Sequence, residues 1–216
     1  GDVQTIGIWD AVQAINSAAT DPAVQYIYLK TDGSASGIAS IEEIRKSLAK
    51  FRQTSGKPVV SYIEAPTTGG YYLASVADKV YMTSHIGGTV PLTGVSSQMV
   101  FLGDLLGRLG VNVQLIRHGK YKSAGEMYTK SKSSQENREQ NQRMVDSMWE
   151  SISESIAESR ELSVEALDDA INNLKLNLPQ DFVECGLVDE LLTKNELEDK
   201  LAVLAVKDSF DEVSLI

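Results

Sequence analysis

Two lysines, Lys120 and Lys122, stand in the stretch Arg117-His118-Gly119-Lys120-Tyr121-Lys122-Ser123-Ala124-Gly125-Glu126. It follows an apolar run, Gly110 to Ile116, that reads as a buried strand. A loop at the carboxyl end of a strand is where an open α/β sheet places chemistry. Most exposed lysines are only solvated, and that reading stands beside the chemical one. The chemistry open to such a lysine is that of a general base toward a hydroxyl, in a Ser–Lys arrangement. The lysine must then be held neutral by burial or by a like charge nearby. Its hydroxyl partner belongs at a helix N-terminus, where the dipole and free backbone N–H groups stabilise an oxyanion. Thr68-Gly69-Gly70-Tyr71-Tyr72 has that placement, at a strand-to-helix turn whose glycines let backbone approach a substrate closely. The same residues also read as a helix cap at Thr67 or Thr68 followed by an ordinary turn.

Other chemistries find little support. The two histidines, His85 and His118, lie far apart, and no serine sits in a G-x-S-x-G elbow, so a Ser-His-Asp triad is disfavoured. With one cysteine besides, no ligand cluster at metal spacing exists, and no metal is expected. Neither a G-x-x-x-x-G-K-[ST] loop nor a G-x-G-x-x-G turn opening a helix is present, so no nucleotide and no other cofactor is expected. Cys185 excludes an internal disulfide and reads as a small apolar helix residue.

The net charge of −10 is unevenly spread. Residues 1–130 carry 12 Lys and Arg against 10 Asp and Glu, whereas residues 131–216 carry 8 against 20. The acidic third reads as solvated helix faces, and the lack of a clustered basic face argues against a nucleic-acid partner. No apolar run reaches the ~18 residues of a membrane span, and no secretory signal opens the chain. Gly1-Asp2-Val3-Gln4 reads as a trimmed boundary, which would leave no trace of an upstream anchor.

The elements that must position these residues alternate. Ile8, Val12, Ile15 and Ala19 keep helical spacing, and Asp21-Pro22 ends that helix. Val24–Leu29 reads as a strand. Ile41, Ile44, Leu48 and Phe51 mark a second helix with Gly56 as its C-cap. Pro58–Ile63 and Lys79–Thr83 read as strands, with a short helix over Tyr71–Ala77 between them. His85–Val95 is glycine-rich and β-like, Met99–Leu109 helical, and Val111–Ile116 a further strand. Beyond residue 133 the chain reads as nearly all helix, first as one long amphipathic helix from about Ser134 to Glu161. The expectation is one α/β domain over residues 1–216, with a mainly parallel sheet and crossover helices in residues 1–130 and a helical layer in residues 131–216.

On Thr68-Gly-Gly-Tyr-Tyr-Leu-Ala-Ser75, Asp78-Lys-Val-Tyr81, Leu92-Thr-Gly94, the strand ending at Arg117, Gly119-Lys-Tyr-Lys-Ser-Ala124 and Gly186-Leu-Val-Asp189, the chain resembles one half of the signal peptide peptidase A (protease IV) family. These are membrane-associated bacterial serine proteases with a Clp/crotonase-like fold. The resemblance covers nearly the whole chain, and Tyr-Lys-Ser-Ala is its most specific part. It puts Lys122, not Lys120, at the position of the family's general base. The family's nucleophilic serine precedes the Gly-Gly-Tyr, and here that place holds Thr68, followed by Gly69 and Gly70. A second family serine, which orients the lysine, is replaced by Val95. The loop that helps form the oxyanion hole is here Thr31-Asp-Gly-Ser-Ala35, without paired glycines.

The long members of the family are tandem duplications in which the N-terminal half gives the lysine and the C-terminal half the serine. The resemblance therefore implies an N-terminal half, inactive alone, whose partners are a C-terminal protease half carrying the serine and further copies in a homo-oligomer. It also implies an apolar signal-peptide substrate, and anchorage in the bacterial inner membrane with this domain on the extracytoplasmic, periplasmic side. Two alternatives stay open: a non-catalytic scaffold for oligomer assembly, and a crotonase-type acyl-CoA enzyme on the same fold.

Overall fold

The computed structural model describes residues 6–32, 37–85, 92–116 and 124–214. Four strands form one parallel sheet in the order β1 (Ile27–Lys30), β2 (Val59–Ile63), β3 (Lys79–Thr83) and β4 (Glu190–Leu192). Ile27 pairs with Val59, Val60 with Lys79, and Tyr81 with Glu190. Parallel neighbours require crossovers, and helices supply them. The helices are α1 (Ile8–Thr20), α2 (Ile38–Ser55), α3 (Thr68–Ala74), α4 (Gly103–Arg108), α5 (Glu126–Thr129), α6 (Gln135–Arg160), α7 (Val164–Asn172), α8 (Pro179–Glu184) and α9 (Lys194–Leu204).

The chain divides into two compact units, one drawn from Gly1–Thr93 and Ser153–Ile216, the other Gly94–Ile152. The first holds the sheet. All five residues of β2, Val-Val-Ser-Tyr-Ile, are buried, as befits a strand covered on both faces. Alternation sorts them. Val60 and Tyr62 pack with Leu192 and with Leu197 and Leu201 of α9, while the buried Ser61 hydroxyl donates to Ala74 O of α3 at 3.2 Å. Two carboxylates close the sheet's entry. Asp78 accepts Val59 N at 2.8 Å and pairs with Arg52, and Asp189 accepts Val80 N at 2.7 Å and Arg160 Nη1 at 3.1 Å. Those contacts give the Asp78-Lys-Val-Tyr and Gly186-Leu-Val-Asp segments a structural reason. Gly56 caps α2 as expected, with φ +67°.

The second unit contains α4, α5 and most of α6, and here the sequence reading needs correction. Val111–Ile116 is not a buried strand: it has no regular structure, and Ile116 is fully exposed. An extended segment becomes a strand only beside a free sheet edge. Residues 111–116 pair with no strand of the sheet among the described residues, so their apolar composition alone does not make them one. β4 itself is the second correction, since it is a strand inside the part that reads as helix. Glu190-Leu-Leu192 has no strand propensity to advertise, and pairing with β3 decides its state. The first strand begins at Ile27 rather than Val24, and the helix expected over Met99–Leu109 is only Gly103–Arg108. Residues 92–95 of the glycine-rich stretch are not strand, and residues 86–91 lie outside the described residues. Among the described residues no helix is long and apolar enough to cross a membrane.

Candidate active site

The carboxyl end of β2 leads through residues 64–67 into α3, the position at which a parallel sheet presents a helix N-terminus. Thr67 is the N-cap, its hydroxyl accepting Gly70 N at 3.0 Å. Thr68 is the first helical residue, half-buried, and its hydroxyl donates a short hydrogen bond to Thr93 O. Gly69 is half-buried and Gly70 buried, so the three residues that the sequence singles out share one turn. A Cβ on Gly70 would stand 2.8 Å from Thr31 O, so glycine is what lets α3 lie against the end of β1. The phenol of Tyr71 donates to Leu187 O at 2.6 Å, and that of Tyr72 to the Glu42 carboxylate, locking the helix on both sides.

Beside this turn, Asp32 Oδ1 accepts Glu64 N at 2.9 Å and Ala65 N at 2.8 Å. Asp32 Oδ2 and the buried Thr31 hydroxyl have no hydrogen-bond partner among the described residues. The loop they begin continues into residues 33–36, which lie outside the described residues. Lys120 and Lys122 fall in residues 117–123, also outside them. Val95 is half-buried, in an irregular segment of the second unit.

What sequence reasoning missed is a knot between Glu126, at the end of the lysine stretch, and residues 130–137. Glu126 is 1% exposed. Its Oε1 accepts the Ser134 hydroxyl at 2.6 Å and Lys130 Nζ at 3.2 Å. Its Oε2 accepts Ser134 N at 3.1 Å and Asn137 Nδ2 at 3.2 Å. The Ser134 hydroxyl in turn accepts Asn137 N at 3.3 Å, so the carboxylate sits at the N-terminus of α6, where the helix dipole favours negative charge. Burial pushes the Glu126 pKa up, but these donors outweigh it and hold it at about 2. The signal for this knot was a glutamate eight residues ahead of a Ser-x-x-Asn helix start, and no rule of local spacing joins the two.

The sign of the pH effect follows. A carboxyl whose folded pKa lies below its unfolded value adds stability above the unfolded pKa and loses it as pH falls through the folded one. The second unit is therefore expected to loosen as pH drops from about 4.5 toward about 2. Hydrogen exchange at the Ser134 and Asn137 amides reads this out. Protection that stays flat down to pH ~2.5 in the wild type, and equals that of Glu126→Gln, would count against it.

A parallel sheet crossed by helices, with a Gly-Gly turn opening a helix at a strand's carboxyl end, defines an α/β protein of the Clp/crotonase-like kind. The profile of peptidase family S49 matches residues 51–207, and the chain belongs to that family. Protease 4 of Haemophilus influenzae is 30% identical over 219 residues, which cover 98% of this chain and 35% of that protein. Serine protease SPPA, chloroplastic, of Arabidopsis thaliana is 34% identical over 122 residues, 56% of this chain and 18% of that protein. Protease 4 of Salmonella typhi is 34% identical over 138 residues, 63% of this chain and 22% of that protein. The chain thus spans about a third or less of the length of these relatives.

Proposed function

We propose that this chain is the base-donating N-terminal half of a tandem serine endopeptidase, and that the full-length protein degrades signal peptides after their release. Lys122 takes the proton from a serine hydroxyl that stands on a C-terminal half. The observation that carries this reading is Thr68. The place before the two glycines, at the N-terminus of α3, holds a threonine whose hydroxyl proton points at Thr93 O. Membership of the S49 family supports the same reaction class.

Exposed apolar side chains of the second unit support the reading of its partners. Val100, Leu105, Leu109, Ile116 and Met144 are all exposed there. Contiguous apolar surface is a common site of protein or peptide contact. We assign it to the C-terminal half, to further copies in an oligomer and to an apolar peptide substrate. The assembly is held at the bacterial inner membrane, on its extracytoplasmic side, by an anchor outside residues 1–216.

The test is Lys122→Ala in the full-length protein. The expected result is a fall in kcat/KM of about 10²- to 10⁴-fold on an internally quenched apolar peptide, with the protein still folded. Retained activity would make this domain a scaffold. Cleavage by the isolated chain that disappears with Thr68→Ala would equally end the split-site reading.

A further inference from the structure

We propose that Glu126 is a positioning residue of this protease: its one carboxylate registers the turn that follows the lysine stretch against the start of α6 and against residues 97–99. The inference rests on reading Lys122, four residues earlier, as the base.

Among the described residues, Ser134, Lys130 and Asn137 place two donors on each carboxylate oxygen, which fixes the orientation of the side chain. The chain of amides continues outward. Asn137 Oδ1 accepts Asn141 Nδ2 at 2.6 Å, and Asn141 Oδ1 accepts the Ser97 hydroxyl at 3.3 Å, while Asn141 Nδ2 also lies 3.3 Å from Met99 Sδ. Residues 97–99 come two residues after Val95, the place of the family's orienting serine.

Backbone packing pins the same turn from its other side. Leu102 N donates to Met127 O at 2.6 Å and Gly103 N to Lys130 O at 3.2 Å. A Cβ on Gly103 would lie 2.7 Å from Lys130 O, and one on Gly125 would lie 2.3 Å from Leu115 Cδ1. A turn held this closely has little freedom, and catalytic groups tolerate misplacement of only about 1 Å. A glutamate serves here where a glutamine would not: four donors need four lone-pair sites, and an amide supplies two.

The variants Glu126→Gln and Asn141→Ala are made in the full-length protein, beside Lys122→Ala and the core control Leu201→Ala, which alters the packing under the sheet. Kinetics on an internally quenched apolar peptide are normalised to the folded fraction. A positioning role predicts that Glu126→Gln lowers kcat at least ten-fold with KM within two-fold, that Asn141→Ala lowers it less, and that Leu201→Ala leaves kcat per folded molecule unchanged. Unchanged kcat per folded molecule in both Glu126→Gln and Asn141→Ala, alongside an inactive Lys122→Ala, overturns this inference alone. An active Lys122→Ala overturns the functional reading beneath it. If Glu126→Gln fails to fold, Asn141→Ala decides by the same ratio.

Discussion

Arg45→Met is expected to destabilise the protein by about 3 kcal/mol, a large share of the ~5–15 kcal/mol that holds a domain folded. Arg45 rises from the middle of α2 and is buried, yet no carboxylate forms an ion pair with it among the described residues. Its charge is solvated by dipoles instead. Nη1 donates to Tyr72 O and to the Ser75 hydroxyl at 2.8 Å, and Nη2 to Ser159 Oγ at 3.0 Å and Ser155 O at 3.3 Å. The guanidinium also lies 4.3 Å from the centre of the Tyr72 ring. One planar fork thus joins α2, the carbonyl end of α3 and the last turns of α6. Methionine keeps the volume but removes the charged donor; Tyr72 O keeps only the Ser75 hydroxyl at 3.0 Å and the Ser159 hydroxyl only its bond to Ser155 O at 2.8 Å, and each hydrogen bond lost to a charged group is worth about 1.5–3 kcal/mol. It also forfeits a cation–π contact of about 1 kcal/mol. Arg45→Lys should rescue little, since an ammonium cannot reach both sides of the fork. Urea unfolding measures the loss, and a loss under about 1 kcal/mol would show that the fork is ornamental.

The second large effect separates two adjacent glycines. Gly70→Ala would drive a Cβ to 2.8 Å from Thr31 O and 2.9 Å from Thr67 Oγ1. The first is backbone at the end of β1 and the second is the helix cap, so neither can yield without breaking something. Overpacking of this sort costs about 1–3 kcal/mol, and losing the cap adds about 1 more. Gly69→Ala meets only the terminal methyl Ile41 Cδ1, at 3.1 Å, which can rotate away. Alanine also favours helix over glycine by about 1 kcal/mol, so Gly69→Ala should be near neutral. Thermal melts of the two variants give the comparison. Equal melting temperatures, or Gly69→Ala as the weaker protein, would contradict the packing described for this turn.

How far the sequence could be read depended on whether a residue's partner was near in the chain. The helices α2 and α6 declared themselves, the first by its apolar spacing and glycine cap, the second by its stripe ending in Ile152 and Ile156. The turn at Thr67–Gly70 was equally legible, because a cap and a pair of glycines are local statements. β4 was not, since three residues acquire strand geometry only from β3, which lies far away in sequence. Val111–Ile116 failed in the opposite direction: its composition suits a strand, but among the described residues no partner strand pairs with it. Glu126 was visible as a letter, but its meaning lies in Ser134 and Asn137. Arg45 was unreadable for the same reason, its acceptors lying up to 114 residues away.

The sheet order carries a consequence for how the chain comes to be folded. β1, β2 and β3 are adjacent both in sequence and in space, so they can pair early. The edge of β3 then stays open until β4 arrives, roughly a hundred residues later in the sequence. During synthesis at about 5–20 residues per second, that is roughly 5 to 20 seconds with unpaired N–H and C=O groups on display. Non-local parallel pairing is slow to form, and an unpaired edge recruits foreign strands. The nascent chain therefore displays an edge of β3 that the finished sheet covers with β4.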